Sequence, residues 1–181
     1  MSRPPAPGPE PAVTPPQGVE VRPARPGDAA GWLTHVADVA AEGRFIRTER
    51  IDPSRRRMRR RLRDSWTRRQ AYITAAAGDR LVGTLHIARE EGGPATEHIA
   101  SLGMSVDKEW RGRGVGSALL AEAFRWARWA EVEKLGLTVY PHNQPAINLY
   151  KKFGFVEEGQ LTGHSKKSYG YEDEIVMGRW L

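Results

Sequence analysis

The chain has no cysteine among its 181 residues, which rules out both disulfides and thiolate metal sites. Its five histidines, His35, His86, His98, His142 and His164, are scattered without the spacing of a ligand set, so no metal centre is expected. No apolar run approaches the roughly 18 residues that a membrane-spanning helix needs. The N-terminus lacks the apolar stretch of a secretory signal. A cytoplasmic protein without membrane attachment is therefore the expectation. Acidic residues are the minority: 22 Asp and Glu against 28 Lys and Arg give a formal net charge of +6. That balance permits attraction to polyanions without establishing it.

Large apolar side chains are nearly missing from Met1 to about Gly18, a stretch of proline, alanine and glycine. Such a segment buries too little surface to offset its ordering entropy, and residues 1–18 read as a disordered tail. Residues 19–181 form one domain, large enough for a real core. The hydrophobic pattern predicts a strand at Val19–Arg22, a helix from an Asp28 cap to about Glu42, and a second helix over Pro53–Arg69. In that second helix Met58, Leu62 and Trp66 form an apolar stripe, and Arg55, Arg56, Arg57, Arg59, Arg60, Arg61 and Arg63 cover the rest. Two strands, Ala71–Ala77 and Arg80–Arg89, flank a Gly78-Asp79 turn. A strand at His98–Val106, a helix from Val115, and a strand at Leu135–Tyr140 follow. Asn143 can cap the next helix, which places Ala146, Leu149, Tyr150 and Phe153 on one face. Phe155–Gly159 and Tyr171–Trp180 close the domain as strands. The pattern is β-α-α-β-β-β-α-β-α-β-β, an α/β domain with a mixed sheet.

The most informative stretch joins the fourth strand to the third helix: Met104-Ser105-Val106, a short Asp-Lys-Glu-Trp turn, then Arg111-Gly112-Arg113-Gly114-Val115-Gly116. Three glycines at a helix N-terminus leave N–H donors uncovered in a partly positive field, the requirement for holding phosphate or pyrophosphate. A P-loop would end in Gly-Lys-Ser/Thr, but here the end is Gly116-Ser117-Ala118. The dinucleotide fingerprint G-x-G-x-x-G also fails, since the spacing from Gly112 is G-x-G-x-G.

The element order, the glycine loop after the fourth strand, and Asn143-x-x-Ala146-x-x-Leu149-Tyr150-x-Lys152-x-Gly154-Phe155 downstream together resemble the GNAT superfamily of acetyl-CoA-dependent N-acetyltransferases. The resemblance runs from about Val19 to Leu181. Arg111-x-x-Gly114-x-Gly116 is similar to the family's Q/R-x-x-G-x-G/A motif, and Tyr171–Met177 is similar to a subfamily acting on small amines, amino acids or protein N-termini. The fold implied is a mixed, mostly antiparallel twisted sheet of about seven strands with helices on both faces.

The resemblance also implies a site. Acetyl-CoA would be the co-substrate, with no metal. Its pyrophosphate would lie on Arg111, Gly112, Arg113, Gly114, Val115, Gly116 and Ser117, and its pantetheine arm along Met104, Ser105 and Val106, with Asn143 bonding the arm. An amine of a small molecule or peptide would attack the thioester directly, the Met104 N–H would stabilise the oxyanion, and Tyr150 would assist the leaving thiolate. Where some relatives carry a carboxylate on the fourth strand, this chain has Ala100 and Ser101, and a fifth-strand Glu aligns with Thr138. Glu97, His98 and Asp173 remain as candidate bases, and proton removal through water is the preferred expectation. In the family the segment around Glu42–Trp66, including Phe45, covers the acceptor site. Two other readings stay open: a catalytically silent acyl-CoA sensor, and a nucleic-acid-binding module using the Arg55–Arg63 block. Nucleic acid is the less favoured partner, and a homodimer is compatible with the sequence.

Overall fold

The computed structural model describes residues 8–49 and 51–181. Part of the expected tail, residues 1–7, lies outside them. Seven strands form one sheet in the order β1-β2-β3-β4-β5-β7-β6, where β1 is Val19–Pro23, β2 Gln70–Ala77, β3 Arg80–Arg89, β4 Ile99–Val106, β5 Lys134–Val139, β6 Val156–Lys167 and β7 Gly170–Trp180. Every neighbouring pair is antiparallel except β4 and β5, which run parallel. The helices are α1 (Ala29–Ala41), α2 (Arg55–Arg63), α3 (Val115–Trp129) and α4 (Gln144–Lys152). The expected fold class and element order hold.

Two cores separate the layers. The larger joins the sheet to α3 and α4 through Leu85, Ile87, Leu119, Phe124, Leu135, Phe153 and Met177. The smaller joins the other face to α1 and α2 through Trp32, Met58, Leu62, Tyr72 and Leu81. Gly83 sets the spacing in the larger core. A Cβ there would sit 3.0 Å from Leu119 Cδ1 and 3.0 Å from Val115 Cγ1, so its absence lets α3 lie close to β3.

Local chemistry shifts several predicted boundaries. The second helix stops at Arg63 rather than Arg69. The Thr67 hydroxyl accepts from the N–H groups of Arg69 and Gln70, and Trp66 bridges to Ala71. The turn sends Trp66 to the larger core, beside Trp129 at 6.2 Å, instead of onto the Met58–Leu62 stripe. Asp28 does precede α1, but its carboxylate accepts from Arg22 at 2.7 and 3.0 Å and makes no side-chain cap. Strand β6 extends to Lys167, past the expected Gly159. Its inward positions there include Ser165 and Lys167, buried and bonded to Glu174 and to the Ile46 and Arg47 carbonyls, so the strand carries no apolar alternation.

Of the expected tail, residues 8–18 form no helix or strand. Glu10 pairs with Arg128 at 2.5 Å, the Arg179 guanidinium donates to the Gly8 carbonyl at 3.2 Å, and Val13 packs on the larger core. No helix is long and apolar enough to cross a membrane among the described residues.

The close α3–β3 approach gives a stability expectation. Gly83→Val should lower unfolding free energy by about 2 kcal/mol through overpacking, read as a shift in urea midpoint. An unchanged midpoint would show that α3 can move away at no cost.

Candidate active site

Strands β4 and β5 share only three residue pairs, Ile99–Lys134, Ala100–Leu135 and Ser101–Gly136. Beyond them β4 stays paired to β3 as far as Val106, and β5 stays paired to β7 as far as Val139. The two strands therefore part within the sheet, and the β5-facing edge of β4 has no strand partner from Leu102 onward. A cavity of about 550 Å³ fills the opening. Its lining includes Trp32, Val36 and His86 from the α1 side and Gly116, Leu149 and Tyr150 from the α3–α4 side, so it passes through the sheet.

At one end lies the glycine loop. Gly114 precedes α3 with φ +91, and Gly112 has φ +72, values that favour glycine. The first bond that closes α3 runs from Ala118 N–H to the Gly114 carbonyl at 3.0 Å. The N–H groups of Gly114, Val115, Gly116 and Ser117 are thus the free donors of the helix end. A Cβ at Gly112 would meet nothing within 4 Å, and one at Gly114 would meet only Pro16 at 3.8 Å, so the loop surface is open to a ligand. Gly116 instead serves helix packing. A Cβ there would lie 2.9 Å from Leu149 Cδ2, and the glycine lets α3 and α4 converge.

The Arg111 side chain is fully engaged. It donates to the Val106 carbonyl at 3.0 Å, pairs with both Glu42 oxygens at 2.7 and 2.5 Å, and covers the Phe45 ring at 4.7 Å. It ties the loop to the end of α1, and each of its three guanidinium nitrogens is spent within the protein. Arg113 lies over Trp110 at 5.5 Å. The Ser105 hydroxyl is likewise spent, 2.9 Å from His35 Nε2 and 3.1 Å from Thr84 Oγ1. Burial pushes the His35 imidazole below its ordinary pKa, against the raising influence of Asp107. Met104, Ser105 and Val106 all line the cavity.

Asn143 caps α4, its side-chain oxygen accepting from Ala146 N–H at 3.4 Å. The side chain also lines the cavity. Two turns on, Tyr150 is buried, edge-on to Phe155 at 5.7 Å. Its hydroxyl has no hydrogen-bond partner among the described residues although the side chain lines the cavity. Burial pushes that phenol well above its ordinary pKa, so it stays protonated and able to donate.

None of Glu97, His98 and Asp173 lines the cavity. His98 stacks on Trp180 at 5.9 Å, and Asp173 accepts from Gln160 and the Gly163 N–H. Ser101 donates to Glu90, and the Thr138 hydroxyl accepts from Arg47 at 2.9 Å.

Sequence reasoning passed over the Arg47–Glu174 pair on the cavity wall. Arg47 donates through Nε to Glu174 at 2.7 Å and through a second nitrogen to its other oxygen, and Ser165 also donates to Glu174. Burial alone would raise the carboxyl, but the bonds from Arg47, Ser165 and Thr138 outweigh it and hold the pKa at about 2. The two residues lie 127 positions apart, so no local pattern joins them.

This pair makes an acid-stability test. Glu174 sits below its ordinary value when folded, so its stabilisation is present above about pH 4.5 and is lost as pH falls toward 2. Glu174→Gln should flatten the stability–pH slope in that window by on the order of 2 kcal/mol in total, measured by urea unfolding. Parallel slopes would mean the pair contributes nothing.

Comparison with known proteins agrees with this geometry. The model of the Acetyltransferase (GNAT) family matches residues 40–155. An L-amino acid N-acetyltransferase of Escherichia coli is 37% identical over 108 residues, covering 59% of this chain and 65% of that protein. The chain therefore spans just under two thirds of that relative's length, and 47% of two mycothiol acetyltransferases that it also matches. Among solved structures, a GNAT-family acetyltransferase from Streptococcus pneumoniae superposes with a TM-score of 0.80 at 28% identity, covering 90% of this chain and 99% of that one. A ribosomal-protein-alanine N-acetyltransferase from Brucella melitensis gives 0.79 at 25% identity, with 90% and 99% covered. A family model across most of the domain, together with a strand pair that parts beside a glycine-rich helix start, means that the chain belongs to the GNAT family of acetyltransferases.

Proposed function

We propose that this protein transfers the acetyl group of acetyl-CoA to a primary amine by direct attack within a ternary complex. The observation that carries the reading is the opening between β4 and β5, which joins the donor-rich start of α3 to the Tyr150 hydroxyl in one cavity. Acetyl-CoA would supply the acetyl group as a thioester, already activated for attack. The backbone N–H groups of Gly112–Ser117 and the α3 dipole would hold its pyrophosphate. The unpaired edge of β4 from Leu102 to Val106 would bond the amides of the pantetheine arm as a neighbouring strand would. Asn143 would bond the same arm while capping α4. The Met104 N–H would receive the charge that develops on the carbonyl oxygen.

Tyr150 would act on the sulfur. A phenol kept protonated by burial donates a hydrogen bond to a thiolate without giving up its proton fully. That interaction strengthens only as the C–S bond breaks, so it accelerates the chemical step rather than binding.

The acceptor is proposed as a small amine, an amino acid or a protein N-terminus. Two names support that range: the Escherichia coli relative is an L-amino acid N-acetyltransferase and the Brucella melitensis neighbour acts on a ribosomal-protein alanine. The cytoplasm is the proposed location. Thiol release from acetyl-CoA, measured over a panel of amines and short peptides, tests the reading. Binding of acetyl-CoA without turnover of any amine would favour a silent sensor instead.

Two substitutions divide the site. Gly114→Val forces a β-branched residue into φ +91 at the pyrophosphate surface. Its Kd for coenzyme A by calorimetry should rise more than about tenfold; an unchanged Kd in the folded variant would place the ligand elsewhere. Tyr150→Phe should lower kcat by about 10²-fold, leave the KM for acetyl-CoA nearly unchanged, and alter stability little because the hydroxyl has no partner among the described residues. Full kcat in that variant would make Tyr150 a core residue only.

A further inference from the structure

Two of the buried polar atoms that lack a partner among the described residues, His86 Nε2 and the Tyr140 hydroxyl, belong to side chains on the wall of the same cavity. His86 stands on β3 directly opposite Gly103 of β4, next to Met104. Its parity with Thr84, whose hydroxyl meets Ser105 and through it His35, puts the imidazole on the α1 side of the sheet. The ring is held in place. It stacks on Tyr72 at 4.3 Å, and Tyr72 in turn meets Trp32 edge-on at 5.5 Å. An imidazole so fixed, with an orphaned nitrogen beside a ligand cavity, is an unusual use of a polar side chain.

The other histidine and carboxylate groups near the reaction centre are occupied or do not reach it, and the Tyr140 and Tyr150 hydroxyls are phenols, far weaker acceptors than an imidazole. His35 is bonded to Ser105, and Glu174 is locked to Arg47. Glu97, His98 and Asp173 do not reach the cavity. Resting on the acetyl-transfer reading above, we propose that His86 is the group that accepts the proton of the attacking amine. The neutral amine nitrogen bonds to the thioester carbonyl carbon, and its N–H becomes strongly acidic as that bond forms. The His86 Nε2 is sealed from solvent and keeps its hydrogen, so the other ring nitrogen, Nδ1, takes the proton. The C–S bond breaks, the thiolate is held by the Tyr150 hydroxyl, and it is protonated from solvent while the imidazolium returns its proton to solvent. The sum is amine plus thioester giving amide plus thiol. This replaces the water route suggested by the missing strand carboxylates.

The surroundings keep His86 ready to accept. Burial is the larger influence and pushes the imidazole below its ordinary pKa, and the Arg61 guanidinium of α2 acts in the same direction. Of the elements packed on the ring, β2 presents Tyr72, a phenol raised by burial and so uncharged. β4 presents Gly103 opposite it. Arg61 is the charged group that bears on it. Arg61, exposed like the other arginines of α2, is the one whose charge bears on the ring.

The test uses the full chain, His86→Gln and His86→Phe, and Arg61→Gln. In the wild type, kcat should fall as pH drops through the lowered His86 pKa. Both His86 variants should lose about 10²-fold or more in kcat and lose that acid limb, while binding coenzyme A with unchanged Kd. Arg61→Gln should keep the plateau and move the limb to higher pH. The same upward move should appear in the NMR titration of the His86 ring in ligand-free protein, a readout that needs no turnover and survives if the His86 variants fail to fold. Wild-type kcat and an intact acid limb in His86→Phe, or a His86 ring that titrates at or above the ordinary histidine value, would overturn the assignment. A wild type that binds acetyl-CoA yet acetylates no amine would overturn the acetyl-transfer reading and this assignment with it.

Discussion

The structure turns on one interrupted ladder. After the Ser101–Gly136 pair, β4 and β5 cease to be neighbours, although both remain in the sheet through their other partners. A sheet interior normally satisfies every backbone group on both sides of a strand. Here one edge of β4 is left facing a cavity, which is the condition for an extended ligand to take the missing strand's place. Everything else positions itself around this edge. The glycine loop stands at its end, α4 brings Asn143 and Tyr150 to one side, and α1 closes the other with Trp32 and Val36.

The pieces that hold the opening in shape are ionic and lie across long sequence distances. Arg111 fastens the loop to Glu42 at the end of α1, with Phe45 beneath it. Arg47 reaches across to Glu174 on β7 and to Thr138 on β5. Lys167 of β6 donates to the Ile46 and Arg47 carbonyls at 2.6 and 3.1 Å. The described residues between α1 and α2 have no regular structure of their own, yet they are bonded to three parts of the site. Arg47 meets a carboxylate there, and Arg44 lies over the Phe45 ring at 5.6 Å. The arginines of α2 lie exposed outside this segment, with Arg57 paired to Asp52.

Much of this was legible in the sequence because it is local. The order of strands and helices follows from periodicity, the Gly78-Asp79 turn joins its two strands, and Gly112, Gly114 and Asn143 announce the starts of α3 and α4. Partner choices were not legible. Arg111 belonged to a ligand motif, but nothing local shows that its side chain would be spent on Glu42. Glu174 and Arg47 are ordinary surface residue types until the fold brings them together. His86 looked like one scattered histidine, since an imidazole alternating with apolar residues on a strand reads as packing. The signal that could have raised it is its place on the strand just before β4, two positions after Thr84, on the face that the long strand β3 turns away from α3. The C-terminal end of α2 misled for a similar reason: Trp66 continues the four-residue stripe of Met58 and Leu62, and only the Thr67 turn sends it to the opposite core.

Amide hydrogen exchange with and without acetyl-CoA, followed residue by residue, tests the central claim most directly. If the open edge of β4 and the start of α3 hold the ligand, its addition should slow exchange in Leu102–Val106 and Gly112–Ser117, with little change across the arginines of α2. Unchanged exchange in both segments, or protection concentrated in residues 55–63, would contradict the account.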